Sequence, residues 1–310
     1  MYFPFLRGKQ FELIALRELV PFLSGESPIS PIIEPVKKLT STYTITLGEL
    51  QKHNCNFTVI INPTVGSIKN RINMICGNFL PSPTYDNFQL GIIVKHDTDL
   101  EDIAGKLDQL GLSEQRLVLI VYSLSEPEEL VDFIESNNVA HVVINNLGSR
   151  KILRAIKAVT DNVVFLSDPF EKKNRNKDYA LEVDEFFSDE HVYYAEEGYS
   201  GYSDYLSIGF YYSDKGYSPY AVAIHLTYLK GEEFWIRHLV SDSNEDVSDV
   251  AGKFEEAIVK LIPFIDAHGL DTIACDEFRR LHAAGKYPGL GTVKKLSITN
   301  HVELVYRYLT

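Results

Sequence analysis

Six short and nearly continuous apolar segments recur at intervals of 22 to 33 residues through the first 168 residues of the chain. A strand with one solvent-facing side alternates apolar and polar residues, whereas a strand buried on both faces is apolar throughout. The segments therefore predict a parallel sheet that is covered on both faces. They are PIIEPV (31–36), FTVIIN (57–62), LGIIVK (90–95), RLVLIVYS (116–123), AHVVIN (140–145) and NVVFLSD (162–168).

Segments of helical length with one apolar face separate the later strands. TDLEDIAGKLDQLG (98–111) and SRKILRAIKAVT (149–160) each place their large aliphatic residues on one stripe. SEPEELVDFIESNN (125–138) starts with Ser125, a candidate N-cap, and has a proline and two glutamates in its first turn. Strands that alternate with such helices form right-handed β-α-β units.

Two further apolar runs, YLSIGFYY (205–212) and AVAIHLTY (221–228), bring the number of predicted strands to eight. Eight strands predict an α/β fold of the (β/α)8 TIM-barrel type. The alternative is an open, doubly wound sheet with an antiparallel addition. The count of eight favours the barrel, as does the absence of a GxGxxG fingerprint after any strand.

The last third of the chain departs from the regular pattern. The connection YSDKGYSP (212–219) is short and turn-like, and residues 221–242 read as a hairpin with its turn near Lys230 and Gly231. A helix over 249–269 is expected to bend or break near Pro263, and 301–309 is a closing helix or strand. We therefore predict that the barrel is irregular here, with an antiparallel hairpin addition.

We predict one barrel-like domain over residues 1–310. Its special parts are an N-terminal arm and helix (1–25) that precede the first barrel strand, a polar insertion (169–204), and a C-terminal hairpin with helices (230–310).

Charge and cysteine content narrow the partners and the compartment. The chain has 43 acidic and 30 basic residues and a net charge of -13, which opposes direct binding to nucleic acid and suits a basic protein partner. Three widely spaced cysteines without a CxxC pair indicate neither a zinc knuckle nor a disulfide framework. There is no signal-peptide pattern and no apolar run near the roughly 20 residues that span a bilayer. We therefore expect a soluble, cytoplasmic protein without a membrane partner.

Candidate site residues follow from the barrel. Active sites of TIM barrels lie at the carboxyl ends of the strands, so the first polar residue after each apolar run is a candidate. The candidates for catalysis are Glu34, Lys95, Asp168 and His225, and those for binding include Asn62 and Asn145.

Each of these residues also has a structural interpretation. Asn before a turn commonly bonds loop backbone, Lys95 could pair with Glu34 or Asp168, and a lone His in an apolar strand is commonly a core residue. Glu34, Asp168 and His225 could hold a divalent metal ion only if their side chains meet, and no HExxH, GxSxG or P-loop motif is present. We therefore predict no cofactor and no metal site.

The loop KKNRNK (172–177), which contains Arg175, carries four basic residues and is the most cationic short stretch of the chain. Such a loop can bind phosphate, or it can be an ordinary solvated loop. A small-molecule ligand is therefore a second possible partner.

Ten of the eighteen tyrosines lie between residues 193 and 228. Tyrosines on loops favour partner recognition, and the alternative is that their rings pack the irregular part of the barrel wall. From this stretch we select Tyr202, Tyr205 and Tyr217 as candidate binding residues.

Several segments together resemble the beta protein family of bacteria and phages. They are MYFPFLRGKQFELIALREL, PIIEPV, GYSDY, SPYAVAIHLTY and the late pair Asn300-His301. The resemblance implies a barrel-like fold, a bacterial or phage origin and a gene neighbourhood linked to defence, without an established reaction. It also implies a site formed by Glu34, Asp204, His225 and His301. The single His301 departs from the doubled histidine expected there, which weakens a metal role.

Two functions stay open, and the sequence does not decide whether the protein is an enzyme. The first is a protein-interaction module that binds a cognate partner, as a component of a toxin–antitoxin or phage-defence pair. The second is a barrel enzyme that acts on a phosphorylated or nucleotide-like small molecule by acid/base or metal-assisted chemistry, with Glu34 or His225 as general base.

Overall fold

The computed structural model describes residues 1–38, 40–80, 86–124, 126–145, 150–214 and 219–310. These residues form two compact units. The barrel unit comprises Met1–Leu13, Val20–Ser167 and Tyr193–Asp204, and the second unit comprises Ile14–Leu19, Asp168–Val192 and Tyr205–Thr310.

The barrel unit is a closed barrel of eight parallel strands, which confirms the predicted fold class. The strands follow one another around the barrel in chain order, and the last closes against the first. They are β1 (Tyr2–Leu6), β2 (Ile32–Ile33), β3 (Phe57–Ile60), β4 (Phe88–Val94), β5 (Leu117–Val121), β6 (Val139–Ile144), β7 (Val163–Ser167) and, because β8 belongs to the second unit, β9 (Gly201–Asp204).

Two of the eight predicted barrel strands are wrong. Residues 205–212 contain only a short 3-10 helix at Leu206–Ile208, and residues 221–228 lie in a separate antiparallel sheet. Their places are taken by β1, which was assigned to the N-terminal arm, and by β9. The segment GYSD of β9 is fully buried although half of it is polar, because its polar side chains bond to β1.

Gly201 explains why β9 can lie so close to β1. A Cβ atom at this position would come within 2.6 Å of the Met1 carbonyl oxygen and 3.0 Å of the Phe3 ring. A side chain here would push the closing strand away from the first strand.

The helices connecting the barrel strands are amphipathic, as predicted over 98–111, 125–138 and 149–160. Asp99 caps one of them by accepting a hydrogen bond from the Asp102 backbone N–H at 2.8 Å. The candidate cap Ser125 lies outside the described residues, and its helix begins at Glu128. The helices up to β9 are α1 (Gln10–Glu18), α2 (Val20–Leu23), α3 (Ser41–Lys52), α4 (Ile72–Asn78), α5 (Leu100–Gln109), α6 (Glu128–Ser136), α7 (Arg150–Val159) and α8 (Glu190–Tyr193).

The second unit contains a three-stranded antiparallel sheet in the order β10-β11-β8, formed by Ala223–Lys230, Glu233–Val240 and Asp184–Ser188. The predicted hairpin is confirmed, and Gly231 at its turn has a φ of 67°. That left-handed conformation is one that glycine adopts at no steric cost.

Three helices cover one face of this sheet. They are α9 (Val250–Ala267), α10 (Ile273–Ala283) and α11 (Leu290–Leu309). Their apolar faces form a core with the alternate, inward residues Ile224 and Leu226 of β10. Helix α9 runs through Pro263 without a break, and the C-terminal segment is a helix rather than a strand. None of the described helices has the length and apolar character needed to cross a bilayer.

A basic cleft as the candidate functional site

The strand register shows which barrel residues point inward. Phe3 on β1 and His141 on β6 have ring centroids 5.0 Å apart, although two strands lie between theirs, so both rings point into the lumen. Because side chains alternate along a strand, the same phase continues past the carboxyl ends of the strands. The residues at these positions are Arg7, Glu34, Asn62, Lys95, Tyr122 and Asn145, although the Asn62 side chain turns to the backbone of β4.

Glu34 is held in a buried ion pair. Its Oε2 contacts Arg7 Nη1, and its Oε1 accepts hydrogen bonds from the backbone N–H of Thr64 at 2.8 Å and from the Thr64 hydroxyl at 3.3 Å. Both members of the pair are buried. With both carboxylate oxygens engaged, Glu34 has a structural role that needs no substrate.

The two candidate amides differ in their surroundings. Asn62 donates to the carbonyl of Ile93 and accepts from the N–H of the same residue, both at 2.8 Å, so it extends the strand pairing by one step. The Oδ1 of Asn145 is buried without a hydrogen-bond partner among the described residues. Lys95 places its ammonium 5.8 Å from the centre of the Tyr122 ring.

Tyr202 and Asp204 contribute to the closure of the barrel. The rings of Tyr2 and Tyr202 stack with centroids 4.9 Å apart, and the Tyr2 hydroxyl donates to Asp204 Oδ1 at 2.8 Å. Burial, followed by the charge of Asp204, raises the pKa of Tyr2. Both candidates are therefore buried rather than presented on a loop.

Of the other candidates in the second unit, His301 and Tyr205 are buried and Asp168 is exposed. His301 is buried, with Nδ1 3.1 Å from the Thr227 hydroxyl and its ring against Phe187. Tyr205 is buried with its ring on Phe210. Asp168 accepts a hydrogen bond from the N–H of Phe210 at 3.1 Å. Tyr217 lies outside the described residues.

The four candidate catalytic residues divide between the units. Glu34 and Lys95 belong to the barrel unit, whereas Asp168 and His225 belong to the second unit. Within the second unit, His225 lines a large cleft whose wall does not include Asp168.

This cleft has a volume of about 1090 Å³ and is formed by the segment 170–179, strand β10 and helix α11. Its wall contains four basic side chains, several aromatic rings and three amides, with Glu245 as the acidic residue. The principal lining residues are Phe170, Lys172, Asn174, Arg175, Asn176, Lys177, Tyr179, Tyr220, Ala221, Ala223, His225, Asn244, Glu245, Val293 and Lys294.

One of the basic residues, Arg175, is paired with an acidic neighbour on the same loop. Arg175 forms a two-point ion pair with Asp178, at 2.8 and 3.1 Å. Lys172 lies 3.8 Å from the centre of the Tyr211 ring, and its pKa is lowered by partial burial and by the charge of Lys294. The wall therefore brings two like charges close enough to disfavour each other.

The buried end of the cleft is aromatic. Tyr179 is 3% exposed and packs its ring edge-on against His225, with centroids 4.5 Å apart, and at an angle against Phe170 at 5.9 Å. Burial raises the pKa of Tyr179. The cationic side chains lie at the exposed end, so the cleft changes from charged to apolar with depth.

One acidic group beside the cleft has the spacing of a metal site. Ligand oxygens of Glu171, Glu182 and Glu185 lie within 4.8 Å of one another. The ammonium of Lys173 lies among them, at 3.1, 3.4 and 2.9 Å respectively. Its hydrogen bond to Glu185 is the largest cause of its raised pKa. Lys173 thus supplies the positive charge that a cation would otherwise provide, and we assign no metal there.

Arg175 and His225, two of the predicted site residues, line this cleft together with Lys294, which was not among the predicted residues. Val293, Lys294 and Ser297 line the cleft from one side of α11, but nothing in the sequence links that helix to a loop more than a hundred residues earlier.

The fold and this cleft define a TIM-barrel-like chain with a second unit that carries a basic, partly aromatic cavity. Comparison of the chain with protein-family descriptions and with curated proteins returned no match. The resemblance to the beta protein family stays a prediction.

Proposed function

We propose that the protein binds a phosphorylated, nucleotide-sized small molecule in the cleft of the second unit. The observation that carries this proposal is the convergence of Lys172, Arg175, Lys177 and Lys294 on one cavity, in a chain whose net charge is -13. The chain is negatively charged on average, so its composition alone does not account for a cluster of four basic residues.

Two like charges in the cleft favour a bound anion. Lys172 and Lys294 repel each other, and a phosphate placed between them would turn repulsion into two charge-assisted contacts. In the described part of the chain, neither Lys172 nor Lys177 forms an ion pair with a carboxylate.

The size and polarity of the cleft set the class of ligand. Ligand pockets typically measure roughly 300–1,000 Å³, and this cleft, at about 1090 Å³, lies just above that range. Phe170 and Tyr179 offer an apolar, aromatic surface at the end away from the charges. A molecule with a phosphorylated end and a planar end matches both halves.

Calorimetric titration tests the proposal with pyrophosphate, adenosine monophosphate, adenosine triphosphate and unphosphorylated adenosine as probes. We expect the phosphorylated nucleotides to bind more tightly than adenosine, and the Lys172→Glu/Lys294→Glu variant to lose that preference. Lys286→Glu, an exposed position outside the cleft, is the matched control and should bind as the parent does. Equal binding by the double variant, or no binding of any phosphorylated probe at millimolar concentration, would refute the proposal.

A second candidate function, binding to a basic protein partner, is favoured by an exposed aromatic pair. Phe186 is 47% exposed and meets the Trp235 ring edge-on at 6.2 Å. Exposed aromatic residues on a chain with a net charge of -13 suit a basic partner. Co-purification with the product of a neighbouring gene, abolished by Phe186→Asp and retained by the cleft variant Lys172→Glu, would support it. If the Phe186→Asp variant still co-purified with this partner, the second candidate function would be refuted.

A further inference from the structure

His225 and His238 form a direct side-chain contact beside the buried end of the cleft. They are paired across strands β10 and β11, and their Nδ1 atoms are 2.8 Å apart. His238 is fully buried, whereas His225 lines the cleft. Among the described residues, His225 Nε2 has no hydrogen-bond partner, and it is not a buried atom.

A hydrogen bond between the two Nδ1 atoms requires that one of them carries a proton and the other does not. The groups around His238 determine which nitrogen carries it. His238 Nε2 lies 3.5 Å from Glu185 Oε2, and the other oxygen of Glu185 lies 2.9 Å from the Lys173 ammonium. No hydrogen bond joins these two atoms, but the carboxylate charge attracts an N–H dipole at this distance and repels a lone pair, so the proton of a neutral His238 is favoured on Nε2. Its Nδ1 is then an acceptor.

The tautomer of His225 follows from that of His238. Because His238 Nδ1 accepts, His225 Nδ1 must carry the proton and donate it across the 2.8 Å contact. The Nε2 of a neutral His225 is then unprotonated, with its lone pair available to the cleft.

Both rings are neutral at physiological pH. Burial, followed by the charge of His238, lowers the pKa of His225 to about 3, and burial, followed by the charge of Lys173, lowers the pKa of His238 to about 4. A base this weak is poorly matched to proton abstraction near neutral pH. The geometry therefore suits hydrogen-bond acceptance better than general-base catalysis.

We propose that His225 Nε2 accepts a hydrogen bond from the planar end of the ligand, so that the cleft selects nucleoside phosphates whose base carries an exocyclic amino group. This inference rests on the proposed function, since it assumes that the phosphate binds the basic end. Tyr179 and Phe170, which contact the His225 ring, would form the apolar surround of the base.

The tautomer is tested first, without ligand. Long-range proton–nitrogen NMR of the imidazoles at pH 7, assigned with His225→Gln and His238→Gln, should show His225 protonated on Nδ1 and bare on Nε2. Protonation on Nε2 would overturn the inference, because that atom would then be a donor. Glu185→Gln should weaken the preference, since a neutral amide attracts the Nε2–H of His238 less than a carboxylate does.

The selectivity is tested with two probes that differ only in the amino group, adenosine monophosphate and purine riboside 5′-monophosphate. We expect about tenfold tighter binding of the former, as one hydrogen bond would give. His225→Phe should remove the difference while keeping the affinity for the purine riboside phosphate. His225→Gln, whose side-chain oxygen is an acceptor, should retain part of the preference.

The outcomes separate the two proposals. Equal affinity of the parent protein for both probes overturns the role of His225 and leaves phosphate binding in place. Absence of binding by both probes overturns the proposed function itself, and with it the selectivity.

Discussion

Tyr2 donates a hydrogen bond to Asp204 at 2.8 Å, and this bond joins the first and last strands of the barrel. The two residues are 202 positions apart in the chain and are both buried. Asp204 is thus a closure residue, whatever further role it has.

Replacing Asp204 with Ala should lower the free energy of unfolding by about 1–3 kcal/mol, because a buried hydrogen bond and its acceptor are lost. Asp204→Asn keeps an acceptor and should cost less. Denaturant titration followed by circular dichroism measures both. If Asp204→Ala were as stable as the parent, the bond would not contribute to closure.

Removing one member of the Arg7–Glu34 ion pair should lower the free energy of unfolding more than the Asp204 substitution does. Glu34→Leu removes the carboxylate that the buried Arg7 guanidinium contacts, and breaking a buried ion pair from one side costs about 3–5 kcal/mol. The double change Arg7→Met/Glu34→Leu removes both charges and should recover much of the stability. Urea denaturation of the parent, both single variants and the double variant measures these free energies of unfolding. A double variant that loses more free energy than the two single variants together would contradict a structural pair.

Stability should fall as the pH decreases from about 6.5 towards 4. His141, His225 and His238 have pKa values lowered to about 4, 3 and 4, so in this window the unfolded chain binds protons that the folded chain does not. Each histidine can change the free energy of unfolding by up to about 1.4 kcal/mol per pH unit. Its full contribution to stability is present above the pKa that histidine has in the unfolded chain.

Acidic groups with lowered pKa values, such as Asp271, reduce stability only when the pH falls below the ordinary pKa of a carboxyl group. The change in stability between pH 6.5 and pH 5 therefore comes from the histidines and not from these acids. Thermal unfolding should show a smaller pH slope for His238→Gln and for His141→Gln than for the parent. An unchanged slope in both variants would show that these rings are not the source.

Without ligand, neutralising one of the facing lysines should not destabilise the protein. Lys172→Gln removes the repulsion with Lys294, so its melting temperature should equal or exceed that of the parent. Added pyrophosphate should raise the melting temperature of the parent and of Lys286→Glu, and should raise that of Lys172→Gln less. A clear loss of stability in Lys172→Gln alone would mean that this lysine supports the fold.

The regular part of the barrel was predictable because its signals are local. Strands β3 to β7 are short apolar runs buried on both faces, and the helices between them have one apolar stripe. The prediction failed at β1, where Pro4 interrupts the run, and at β9, where Ser203 and Asp204 make a buried strand look like a loop. Only tertiary partners satisfy those polar groups.

The candidate site was predictable in part for the same reason. The basic loop with Arg175 is visible as a run of charges, and His225 stands out in an apolar strand. Lys294 and His238 carry no local signal, because their importance comes from what they face across the cleft wall and across the hairpin. The sequence did not show that Glu34 pairs with Arg7, and its candidate catalytic role stays a prediction.

The pairing of β1 with β9 has a consequence for biosynthesis. During synthesis, one edge of β1 stays unpaired until β9, which ends at residue 204, has emerged from the ribosome. During that interval an apolar edge of the nascent sheet is open to other chains. Newly made protein should therefore depend on chaperones, and its yield should respond to translation speed more than that of a chain whose neighbouring strands are all consecutive.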